Sequence, residues 1–124
     1  MLAAVVMLAG CGGNDRRPVS TPESAVRAAT SAYLGALASG DFPRACRMMT
    51  AAARRDLADA AGTPCAQALR AGAAQAADDV AAVRREVAGA EVRIRGALAT
   101  IGPLGAAQQP LRLRRERGRW LVAG

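Results

Sequence analysis

Apolar residues recur every three or four positions up to about Gly89 and every second position after it. No other feature restricts the fold as tightly, because a stripe spaced for a helix scatters over both faces of a strand, and the reverse also holds. Val26, Ala29, Tyr33, Leu34 and Leu37 mark one face of a predicted first helix. Cys65, Leu69, Ala73, Ala76, Val80 and Val83 mark one face of a predicted fourth. Beyond Gly89, Val92 and Ile94 alternate with Arg93 and Arg95, Leu111 and Leu113 alternate with Arg112 and Arg114, and Trp120 and Val122 close the pattern. Helices first and strands second define an α+β fold, with amino-terminal helices against an antiparallel meander that has one wet and one dry face.

Local punctuation places the boundaries. Ser20 and Thr21 stand at the entrance of the first helix, with Pro22 in its first turn and Glu23 spaced for a capping box. Gly40 ends that helix and Asp41 caps the second, FPRACRMM. Thr50 caps the third, AAARRDLADAA, which ends near Gly62, and Thr63-Pro64 opens the fourth. In the strand half, the glycine before ALATIG allows only a turn, the strand ends at Gly102, and Glu116-Arg117-Gly118 predicts a second turn. At 124 residues there is room for one core. That core is thin: 52% of residues are hydrophobic but only 2% aromatic, and alanine supplies much of the apolar count. Burial stabilises by roughly 25 cal/mol per Å² of apolar surface, so covalent help would be useful.

Leu2 to Ala9 is an uninterrupted apolar run, too short for the roughly 20 residues a bilayer span needs and matched to a signal-peptide core. Leu8-Ala9-Gly10-Cys11 then resembles the bacterial lipobox. There, small residues allow cleavage and the cysteine thiol takes a diacylglyceryl group at the membrane surface. The resemblance implies a lipoprotein signal peptide over residues 1–10 and Cys11 as the lipidated first residue of the mature chain. It also implies a location on the outer face of the cytoplasmic membrane. Positive residues before the apolar run are missing, so either the signal is unusually short or its start lies upstream. Residues 11–20 then hold the lipidated cysteine and a tether, GGNDRRPVS, whose extended reach is about 30 Å. Residues 21–124 form the folded domain.

With Cys11 lipidated, Cys46 and Cys65 are an even remainder in a non-cytoplasmic domain, the setting in which disulfides persist. A bridge between them would tie the second helix to the fourth and contribute about 3 kcal/mol in the chain-entropy model. Two buried thiols are the alternative, and the spacing is not that of a Cys-x-x-Cys redox catalyst.

The stretch AYLGALASGDFPRACRMMT, the cysteine in TPCAQAL and the closing LRLRRERGRWLVAG resemble small actinobacterial lipoproteins of the nuclear transport factor 2-like (cystatin-like) superfamily. The resemblance covers about residues 21–124. It implies a curved sheet wrapped around the long first helix into a cone, often with a pocket at the open end. Members include enzymes, carriers and interaction modules, so the fold licenses no reaction. Tyr33 and Trp120 would line such a pocket in a carrier of a small apolar ligand.

Catalysis has little to stand on. The chain has no histidine, the most versatile acid–base group near neutral pH. Tyr33 reads as a core residue, Asp41 as a helix cap, and Asp78 and Asp79 as solvated neighbours pointing in different directions. No cofactor or metal is expected. All 17 basic residues are arginine, and the net charge of +7 lies entirely after Cys11. No aromatic residues are interleaved with the arginines, and no zinc or phosphate-loop motif occurs, so nucleic acid is not expected as a partner. Arg93, Arg95, Arg112 and Arg114 share the polar phase of two strands. They form either an ordinary solvated face or a surface for anionic lipid, an envelope polymer or an envelope protein. The expected function is a membrane-anchored binding or interaction module without catalytic activity. The alternatives are the apolar-ligand carrier and, less favoured, an isomerase or hydrolase.

Overall fold

A computed structural model of the protein describes residues 21–124. Five helices come first: α1 (Pro22–Ser39), α2 (Phe42–Arg47), α3 (Ala51–Ala61), α4 (Cys65–Gln75) and α5 (Ala77–Glu86). A 3-10 turn (Val87–Gly89) leads into β1 (Val92–Arg95), β2 (Leu98–Leu104), β3 (Gln109–Glu116) and β4 (Arg119–Val122). The strands form one antiparallel sheet in the order β1-β2-β3-β4, so the fold is α+β.

The helix starts follow from side-chain capping. Thr21 Oγ1 accepts the Ser24 N–H at 3.1 Å, and the Ser24 hydroxyl donates back to the Thr21 carbonyl at 2.8 Å. The reciprocal pair is therefore Thr21 with Ser24, and Glu23 is left in the first turn, where its charge complements the helix dipole. Asp41 caps α2 by accepting the Arg44 N–H at 3.3 Å, and Thr50 caps α3 by accepting the Ala53 N–H at 3.1 Å.

The fourth helix departs from expectation. It stops at Gln75 and restarts at Ala77, with Ala76 at φ −121° and ψ 21°. Unbroken, the segment to Glu86 would run about 33 Å in one direction. The break lets α4 pack on α2 while α5 turns along α1. The apolar stripe survives it, since Cys65, Leu69, Ala73, Ala76, Val80 and Val83 are all half-buried. Asp78 and Asp79 fall in the first turn of α5, and Asp79 Oδ1 accepts the Ala106 N–H at 3.5 Å. Together with Glu86, which accepts the Gly105 N–H at 2.8 Å, Asp79 holds the β2–β3 loop on α5.

The dry face of the sheet meets α1. Val26, Ile101, Leu113 and Thr30 are wholly buried, and the Thr30 hydroxyl donates to the Val26 carbonyl at 2.8 Å. A disulfide joins Cys46 on α2 to Cys65 on α4, with Cα atoms 6.2 Å apart. Beside it, Arg54 donates to the carbonyls of Cys46 at 3.2 Å and Met49 at 2.8 Å, which satisfies the end of α2. Strand β2 runs past Gly102 to Leu104 through a shift in register, where the sequence reading ended it at Gly102. The outer edge of β4 is covered by the α2–α3 link: Thr50 N–H donates to the Val122 carbonyl, and Val122 N–H to the Met48 carbonyl, both at 2.8 Å.

Candidate functional site

The register of the sheet decides which side chains share its wet face. Arg93 on β1 stands opposite Thr100 on β2, which stands opposite Arg112 on β3. One step along, Arg95 opposes Leu98, Leu98 opposes Arg114, and Arg114 opposes Leu121 on β4. The strands bearing the arginines are therefore not neighbours, since β2 lies between them. Their side chains nonetheless emerge on one face, because each pair is separated by two registered steps. Strand spacing sets the arginines of one row about 10 Å apart, and the two rows lie about 7 Å apart along the strands. The four surround Thr100 and Leu98, and all four are exposed.

These residues line a groove of about 590 Å³, walled on one side by Thr50, Ala51 and Ala52 at the start of α3. That helix reaches the wet face because Met49 and Thr50 are bridged to β4. Its amino terminus adds partial positive charge to a surface that is already cationic. Glu116 is the carboxylate on the groove. Among the described residues, the ion pair present is Arg93 Nε to Glu91 at 3.1 Å, and it is open to solvent, with side chains 74% and 63% exposed. Such an exposed pair contributes little to stability, but Glu91 offsets part of the charge of Arg93.

Charge is unevenly divided over the domain. From Glu91 to the end of the sequence there are seven arginines and two carboxylates, a net of +5. Between residues 21 and 90 there are eight arginines and seven carboxylates, a net of +1. The Gly96-Ala97 and Arg117-Gly118 turns lie at the same end of the meander, so that end gathers Arg95, Arg114, Arg117 and Arg119. Arg115 lies on the opposite, dry side, with its guanidinium 5.7 Å from the Trp120 ring.

Tyr33 and Trp120 both belong to the buried core, each 9% exposed, and neither lines this groove. Burial pushes the Tyr33 phenol above its ordinary value of 10.0. A second groove, of about 550 Å³, runs between the end of α1 and helices α4 and α5, past Phe42, Arg70 and Arg84. Cys11 lies outside the described residues. Among the described residues no cluster of histidine, cysteine or carboxylate side chains is placed to hold a metal ion, and no helix is long and apolar enough to cross a membrane.

Sequence reasoning found the four arginines but missed Leu98, Thr100 and the α3 wall. Leu98 carried a signal in hindsight: it is two residues after Gly96, in the same phase as the arginines once the turn is counted. The α3 wall carried none, being a product of the bridge between Met49 and Val122. Comparison with known proteins finds no matching protein-family model, curated protein or solved structure.

Proposed function

We propose that the protein is a lipid-anchored binding module of the bacterial cell envelope, without catalytic activity, that presents its cationic sheet face to an anionic partner. The observation that carries this reading is the set of four exposed arginines around one groove, on the strand-bearing third of the domain, residues 91–124, with a net charge of +5. A solvated face needs no such segregation, and a like-charged patch is held together only at a cost in self-repulsion. The anchor rests on the resemblance of Leu8-Ala9-Gly10-Cys11 to a lipobox, and the cone-shaped nuclear transport factor 2-like assignment rests on the sequence resemblance together with a long α1 against a four-stranded sheet. A non-catalytic role fits the residues that could have done chemistry. Tyr33 is packed in the core, and Asp41 is engaged at the start of α2.

The anchor is tested in a bacterial host fed a labelled fatty acid. The wild-type chain should take up label and sediment with membranes, whereas Cys11→Ser should lose the label and accumulate as unprocessed precursor. Equal labelling of the two chains overturns the anchor.

A further inference from the structure

We infer that the arginine-lined groove is a bilayer-contacting surface, where the two arginine rows hold the phosphates of anionic phospholipids and Leu98 enters the apolar layer beneath them. The inference rests on the reading that this face meets an anionic partner, and it names that partner.

Leu98 is the observation that points to lipid. It is 57% exposed between Arg95 and Arg114, and among the described residues it is the large hydrophobic side chain left open to solvent. A hydrophilic polyanion would engage the guanidinium groups and gain nothing from a leucine between them. A bilayer interface uses both: guanidinium groups fork onto phosphate oxygens, while their aliphatic stems and the leucine lie toward the acyl chains. The row Arg95, Leu98, Arg114, Leu121 alternates cationic and apolar side chains across the sheet. Leu98 also stands beside the Gly96-Ala97 turn, at the end of the meander that carries Arg117 and Arg119, so the apolar tip and the added charge can reach a surface together.

The chain outside the described residues permits this contact. Nine residues lie between Cys11 and Thr21. Their extended reach of about 30 Å exceeds the roughly 13 Å radius of gyration of a domain this size, so an anchored domain can turn any face to the bilayer.

The experiment uses the mature chain from residue 11, carrying Cys11→Ser and made without the leader, so that no acyl group masks the effect. Vesicles of phosphatidylcholine alone are compared with vesicles containing phosphatidylglycerol, over a range of salt. The chain should bind the anionic vesicles and not the neutral ones, more weakly as salt rises. Each of Arg95→Gln and Arg114→Gln should weaken binding about fivefold. Leu98→Ser should weaken it about tenfold without changing the salt dependence or the melting temperature. Binding that is indifferent to Leu98→Ser overturns the insertion. Failure to bind anionic vesicles, with retained binding to soluble polyphosphate, overturns the bilayer as partner and leaves the anionic-partner reading standing. Failure to bind either overturns both.

Discussion

Gly102 shows how one residue sets a local path. Its φ is 140°, and a methyl group there would stand 2.9 Å from the Cα of Pro110, a backbone atom that cannot step aside. Gly102→Ala should therefore destabilise the domain by about 2 kcal/mol or more, read as a lower midpoint in urea. Gly35, inside α1, is the useful contrast, since nothing lies within 4 Å of its added methyl group. Gly35→Ala should raise stability by about 0.5–1 kcal/mol through helix propensity alone. If the two substitutions behave alike, the close approach of β2 and β3 at Gly102 is not as described.

Among the elements, α2 depends most on its neighbours. It has six residues, too few to be stable alone, and is held by the Asp41 cap, the Arg54 hydrogen bonds and the disulfide to α4. Replacing Cys46 and Cys65 together with alanine should lower the unfolding free energy by about 2–4 kcal/mol, measured by denaturant titration. A non-reducing peptide map should show the two linked in wild-type protein. Two freely alkylated thiols in protein from an oxidising compartment would sink this prediction. Because Arg70 also sits 5.8 Å from the Phe42 ring, α4 contacts α2 by more than the bridge, so the double variant should still fold.

The whole molecule has an unusual titration profile. The chain contains no histidine and no lysine, and Cys46 and Cys65 are bridged. With Cys11→Ser in place, no histidine, lysine or cysteine side chain is left to titrate between about pH 6 and 9, and a terminal amine titrating there changes stability only if folding shifts it, so stability should be nearly level across that window. Above it, the single tyrosine is the group to watch. Burial holds the Tyr33 phenol above 10.0 in the folded state, so the unfolded chain loses its proton first. The stability this group contributes is complete below pH 10.0 and is lost as the pH rises through the folded-state value. Urea midpoints should fall through that range for wild type and hold for Tyr33→Phe. An identical decline in both chains would remove Tyr33 as its source.

The sequence by itself determined what short-range chemistry controls. The first three helices begin at Thr21, Asp41 and Thr50 because a side-chain oxygen there reaches an amide three residues on, a contact needing no partner from elsewhere. The alternation of β1, β3 and β4 was legible for the same reason, as period two follows from the pleat of one strand. Tertiary structure alone decided the rest. The break at Ala76 has no turn residue to announce it and follows from α4 and α5 serving different neighbours. The passage of β2 through Gly102 follows from the approach of β3, more than seven residues along the chain at Pro110. The candidate site belongs to this second kind. Four arginines were readable as a phase, but their arrangement around Leu98, beside the start of α3, exists only because β2 is interposed and the α2–α3 link pairs with the edge of β4. Periodicity tells which face a residue takes within its own strand; only strand order and register tell what stands next to it.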